Sequence, residues 1–274
     1  MGYKQCLHTH STFCVGKDTL EEMVLTAIEK GFNSIGFSGH SFMDIYADFS
    51  MSEDKVIKYK AEIARLQQVY GDKIRIFCGL EKDNYTNAST EGYDYLIGSV
   101  HAMQYNDELL FIDWSAERTR ENIEKFFGGD GVAYASAYYQ AVADLPNYGS
   151  FDILGHFDLL TKFNEQQPDL FDTACSEYRA AATRAAEALV GKVKYFEVNT
   201  GAISRGYRTT PYPDPYIIKQ MHRLGFGAII SSDCHDRNFL DCGYEEAKRL
   251  LKEAGFTEHY VLKDDGFVAI PLED

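Results

Sequence analysis

Seven short, apolar, β-prone runs recur along the chain, and six of its 8 histidines stand just beyond the end of one of them. The runs are Lys4 to Leu7, Ser34 to Phe37, Ile74 to Cys78, Tyr93 to Ile97, Phe151 to Leu154, Lys194 to Val198 and Gly227 to Ile230. Segments of helical period separate them, which is the pattern of βα units around a parallel sheet. At 274 residues the chain fits one α/β barrel, a fold of roughly 250 residues. One domain over 1–274 is therefore expected, since no linker, repeat or low-complexity tract interrupts the alternation.

The helices are signalled by their ends. Thr19 to Lys30 opens with a Thr cap and Glu21 and Glu22 in its first turn, and Gly31 stops it. Glu53 to Tyr70, Ser115 to Phe127, Phe171 to Val190, Pro215 to Leu224 and Tyr244 to Ala254 read in the same way. Gly128 to Gly131 marks a turn between two helices of one excursion.

In a parallel barrel the C-terminal strand ends share one face, so residues distant in sequence meet in one pocket. His8, His10, His40, His101, His156 and His235 fall at those ends, with Glu81 after the third strand and Asp233 after the seventh. His8 and His10, separated by one residue, point to the same side and can bind one ion. Standing alone, such a pair would as readily be structural, but Asp233 and His235 repeat the spacing at the far end of the chain. Imidazoles and carboxylates in this proportion suit Zn, Fe or Mn, and one ion cannot use eight groups. A cluster of at least two metals follows. His222, on a helix, and His259, in a late segment, lie off this face and read as structural or solvent-exposed.

Charge narrows the ligand. A net charge of -15 repels polyanions, and no basic stripe offsets it, so long nucleic acids are poor partners. A small phosphorylated substrate is still compatible, because metals supply positive charge locally. No run approaches the roughly 18 apolar residues of a membrane span. The N-terminus lacks a secretory pattern, and the 6 cysteines form no C-x-x-C pair, which points to a reducing cytoplasm. The 19 tyrosines and 18 phenylalanines are expected to pack the core and loops.

The motifs H-T-H-S-T-F-C, G-F-S-G-H-S, the Glu81 segment, G-S-V-H, G-H-F-D and S-D-C-H occur in that order over nearly the whole chain. Together they resemble the polymerase and histidinol phosphatase (PHP) family, and the Tyr93 to His101 segment is most similar to its histidinol-phosphatase branch. The resemblance implies a distorted TIM-like (β/α)7 barrel holding two or three divalent ions. It places His8, His10, Glu81 and Asp233 around a first metal, Glu81 bridging to a second held by His101 and His156, and His40 and His235 at a third. Glu81, Asp233 and His235 are the residues it implicates in catalysis. Two ions roughly 3.5 to 4 Å apart can share a hydroxide that attacks phosphorus in line. The expected reaction is hydrolysis of L-histidinol phosphate to L-histidinol and phosphate. The alternatives are another PHP phosphoesterase for a different small metabolite or nucleotide, and a non-catalytic metal-binding domain.

Cations must hold the phosphate oxygens that metals do not reach. Arg205 and Arg208 follow the sixth strand and Lys162 the fifth, with Arg205 favoured for its forked donors. Ser41 and Ser99 are further possible donors. In the family, the loop after H-x-H usually supplies another His or Asp to the third metal, but here Val15 and Gly16 stand in its place. Cys14 or Asp18 would have to substitute, or the third position would be weak.

Overall fold

The computed structural model describes residues 2–43 and 47–272. All seven expected strands form, as β1 (Gln5–Cys6), β2 (Ser34–Phe37), β3 (Arg75–Asp83), β4 (Tyr95–Ser99), β7 (Ile153–Leu154), β8 (Tyr195–Asn199) and β9 (Gly227–Ser231). They pair in parallel in that order. The ring nearly closes at its upper edge, where His10 N–H donates to the Cys234 carbonyl (2.8 Å) and Cys234 N–H to the His8 carbonyl (3.0 Å). The fold is thus a nearly closed seven-stranded parallel barrel, as the strand–helix alternation requires.

The helices are α1 (Leu20–Glu29), α2 (Glu53–Tyr70), α3 (Ala116–Phe127), α4 (Gly131–Asp144), α5 (Ser176–Leu189), the short α6 (Gly201–Ser204), α7 (Pro215–Arg223) and α8 (Tyr244–Ala254). Thr19 and Glu22 complete a capping box on α1, which satisfies end groups that would otherwise be orphaned. Gly128 and Gly129, both at positive φ, make the expected turn between α3 and α4. The helix predicted from Phe171 begins only at Ser176. Asn164 intervenes by pairing both backbone groups of Phe171, at 3.0 and 3.1 Å, which holds that residue in a loop. Tyr134, Tyr138 and Tyr139 of α4 are buried core residues, while Tyr148 beyond it is exposed.

Strand alternation sorts the core. Ile76, Cys78 and Leu80 face the helices, whereas Leu7, Phe77, Tyr95, Ile97, Ile153, Tyr195 and Ile229 form a separate cluster that fills the lower lumen. Tyr95 spans it, its hydroxyl donating to the Leu7 carbonyl. Room for that ring comes from glycine. A Cβ on Gly79 would lie 2.3 Å from the Tyr95 ring, and one on Gly36 would lie 2.5 Å from its hydroxyl.

Two antiparallel hairpins escaped the sequence reading. One, β10 (Glu258–Lys263) with β11 (Gly266–Pro271), plugs the lower end through Leu262. The Gln5 amide accepts from Leu262 N–H and donates to its carbonyl, both at 2.8 Å, so the plug is tied to the first strand. The other, β5 (Ala102–Tyr105) with β6 (Glu108–Phe111), turns through Asn106 and Asp107, both at positive φ as a type I′ turn demands. It carries the chain back to the mouth of the barrel at Asp113 and Trp114.

Candidate metal centre

The inward face of β3 continues upward from Phe77 and Gly79 to Glu81 and Asp83. Glu81 therefore lies within the strand and does not follow it, because pairing with β4 runs on through Glu81↔Ile97 to Asp83↔Ser99. Backbone pairing needs no apolar side chains, and the sequence-based boundary at Cys78 was drawn where the apolar run stopped. Glu81 is fully buried among imidazoles. Its Oε2 lies 3.3 Å from His8 Nε2, 3.6 Å from His10 Nε2 and 2.8 Å from His40 Nδ1, while its Oε1 lies 3.0 Å from His156 Nε2 and 3.5 Å from His101 Nε2.

Asp233 completes the first of these groups, its Oδ1 standing 3.6 Å from His8 Nε2 and 3.2 Å from His10 Nε2. Its φ of 44° is in the left-handed region, a cost that non-glycine residues bear at functional sites. His8 Nε2, His10 Nε2, Glu81 Oε2 and Asp233 Oδ1 are all buried without a hydrogen-bond partner. The atoms of His8, His10 and Asp233 form one mutually close set, and Glu81 Oε2 adjoins its two imidazoles. Ligands on a tetrahedral zinc with bonds of about 2.0–2.1 Å lie about 3.3 Å apart, close to the spacings seen here. The residues present fit a divalent ion.

His10 also belongs to a second set with His40 and His235, and His40 and Glu81 to a third with His101; within each set the ligand-type atoms lie within 4.8 Å of one another. Asp233 and His235 thus fall in different sets, Asp233 with His8 and His10, His235 with His10 and His40.

The rings of His8, His10 and His101 are held from behind. Glu197, at the centre of β8, accepts from His8 Nδ1 at 2.9 Å, from the His156 N–H at 2.7 Å, from Asn199 Nδ2 at 2.7 Å and from Ser231 Oγ at 2.6 Å. Asp83 Oδ2 meets His101 Nδ1 at 2.6 Å, and Cys14 Sγ lies 3.4 Å from His10 Nδ1. Fixing one ring nitrogen leaves the other for an ion. Glu197 and Asp83 were missed in the sequence. The available signal was a charged residue inside an otherwise apolar strand, and an Asp two positions beyond Glu81 on the same face.

The electrostatics follow from this crowding. Burial would lower the His101 imidazole, but Asp83 and Glu81 push it up to about 10. Burial likewise opposes protonation of His10, yet Cys14 and Asp233 raise it to about 9. His8 is raised well above its ordinary value by Glu197, Glu81 and Asp233 against the pull of burial. Burial would raise Glu81, but His8, His40 and His101 hold it well below the carboxylate range. Without ions, protons neutralise the cluster.

Of the expected phosphate-binding cations, Arg205 and Lys162 line a cavity of about 360 Å³ above the cluster. Two Arg205 nitrogens are engaged, Nη2 with Asp233 Oδ2 at 3.1 Å and Nη1 with the Asp233 carbonyl at 3.0 Å, so it braces Asp233 as well. Lys162 pairs with Asp113 Oδ2 at 3.1 Å. Arg208 is not brought to the pocket. It is buried against the Tyr212 ring, donating to Thr161 Oγ1 and Thr210 Oγ1 and lying near the buried carboxylate of Asp158. Ser41 reaches the cavity and accepts from Asp83 N–H, whereas Ser99 Oγ is buried without a partner. Val15 lines the cavity where a ligand was expected, and Asp18 is turned away to accept from Arg237 N–H at 2.8 Å. His222 is exposed and His259 buried on β10, both away from the cluster.

The PHP domain family matches residues 7–201. The chain belongs to the PHP domain family. Among curated PHP relatives, the probable histidinol-phosphatase of Schizosaccharomyces pombe is 28% identical over 91% of this chain and 86% of its own length. The histidinol-phosphatase of Bacillus subtilis is 26% identical over 87% and 96%. The histidinol phosphate phosphatase of Lactococcus lactis, solved in complex with zinc, L-histidinol and phosphate, matches with a TM-score of 0.73 at 23% identity, covering 97% of this chain and 98% of that one. That likeness shows the fold. Among the described residues, no helix is long and apolar enough to cross a membrane.

Proposed function

We propose that this chain, acting as one domain over its 274 residues, is a metal-dependent phosphomonoesterase that hydrolyses L-histidinol phosphate to L-histidinol and phosphate. The observation that carries the reading is a cluster of buried ligand atoms on His8, His10, Glu81 and Asp233 that lack hydrogen-bond partners, beneath a cavity sized for a small metabolite. The names of the similar proteins direct the choice of substrate.

His8, His10, Glu81 and Asp233 would hold one ion, Glu81 through its other oxygen a second with His101 and His156, and His40 and His235 a third. Zinc, manganese or iron suits these donors. Bound divalent ions supply charge that polarises phosphoryl oxygens and acidifies water. The chain's own residues do the rest. Glu197 and Asp83 keep the rings of His8 and His101 turned toward the centre, Arg205 braces Asp233 while facing the pocket, and Lys162 presents a cation on the cavity wall for the substrate's phosphate. The buried floor excludes water from below. Six free cysteines suit a reducing compartment, which we take to be the cytoplasm.

The test is phosphate release by the metal-loaded protein from L-histidinol phosphate, nucleoside monophosphates, phosphotyrosine, phosphoethanolamine and single-stranded DNA. A kcat/KM for L-histidinol phosphate at least about tenfold above every other substrate is expected, since tenfold corresponds to one good discriminating contact. A faster reaction with any other member of the panel would replace the substrate assignment.

A further inference from the structure

The cavity above the cluster has two walls of different character. One presents Lys162 and Arg205, suited to phosphate; the other presents Trp114 and Phe49. Trp114 is the chain's single tryptophan, and 59% of it is exposed. Phe49, 46% exposed, meets it edge to face, with ring centroids 6.1 Å apart and planes at 77°. Phe111 supports it from the end of β6 at 5.6 Å.

The backbone on either side of Trp114 is fixed. It follows the β5–β6 hairpin, with its two-residue turn, and precedes Ser115, whose hydroxyl caps α3 by accepting from Arg118 N–H. A rigid mount that leaves a large ring exposed withholds from the core the burial that ring would contribute, and exposed aromatic surface at a pocket mouth is the usual mark of a binding face. Asp113, its neighbour, is committed to Lys162 and ties this wall to the phosphate wall.

Resting on the reading of the chain as a histidinol phosphate phosphatase, we propose that Trp114, squared by Phe49, is the specificity wall that stacks the imidazole of the substrate. With the phosphate held at the cluster, the ring is the flat part of the molecule left to recognise. Among aromatic side chains, tryptophan offers the face that attracts a cation best. A phosphomonoester without a ring gains nothing from this contact.

The measurement is steady-state kinetics on L-histidinol phosphate and on phosphoethanolamine, which keeps the amine and phosphate but lacks the ring. Trp114→Ala is expected to raise KM for L-histidinol phosphate about tenfold with kcat within about twofold, and to leave phosphoethanolamine hydrolysis unchanged. Trp114→Phe, which keeps a flat face, restores most of the loss. Because there is one tryptophan, its emission reports this wall alone, and L-histidinol with phosphate should change it saturably in the unaltered protein. A Trp114→Ala enzyme that keeps the full preference for L-histidinol phosphate overturns the wall, as does an equal loss on both substrates. Failure of the substrate reading itself is seen separately, in unaltered enzyme that shows no preference for L-histidinol phosphate; that result overturns both.

Discussion

On β3 the inward side chains run Phe77, Gly79, Glu81 and Asp83, and on β8 they run Tyr195, Glu197 and Asn199. Within a few residues each strand passes from an apolar floor to a charged ceiling. The floor is self-sufficient. Tyr95 finds a carbonyl, glycines clear its path, and the β10–β11 plug is tied in by Gln5. The ceiling is the opposite, with buried acids and imidazoles, five of their atoms orphaned, and a left-handed Asp233. Charges are expensive to bury unless paired, so the ceiling stores a demand that bound cations meet. The difference separates two jobs. The lower lumen stabilises the barrel, and the upper lumen does chemistry that the barrel would be easier to fold without.

Substitutions should respect that division. The largest effect is expected at the ceiling. Glu81→Ala removes the carboxylate shared between two sets of imidazoles, and phosphatase activity should fall by about a thousandfold or more, with at least one metal lost, while circular dichroism shows a folded barrel. Full metal content with unaltered turnover would erase the contrast. The floor should respond the other way. Tyr95→Ala leaves a large cavity and is expected to destabilise by about 3–5 kcal/mol in chemical denaturation, with turnover per folded molecule little changed. If activity fell as steeply as stability, the two halves would not be separable.

Much of this division is written in the sequence. The seven strands and the run of histidines after them follow from apolar periodicity and from the rule that strand ends share a face, and Gly31 and the Thr19 cap mark the first helix. What escaped obeys weaker local signals. The β5–β6 hairpin turns on Asn106-Asp107, which lacks the glycine that usually flags such a turn, and it alone explains why Asp113 and Trp114 reach the pocket. Arg208 and Arg205 are three residues apart on one loop, and nothing in their spacing says that one turns to Asp233 and the other to the buried Asp158. Glu197 was hidden by its neighbours, since a strand that reads Tyr-Phe-Glu-Val-Asn looks like core until its partner imidazole is known.

The central claim is that the ceiling's protons stand where metal ions belong, and calorimetric metal titration of chelator-treated protein tests it most directly. His8, His10 and His101 have raised values, the last two near 9 and 10, so protons compete with metal up to those values and affinity should climb as pH rises toward them. Two tight zinc equivalents are predicted at pH 8, bound with proton release and weakened at least about tenfold at pH 6. A third equivalent should bind more weakly, since Val15 lines the site where a ligand would help. No tight equivalent, or binding indifferent to pH and without proton release, would contradict the account.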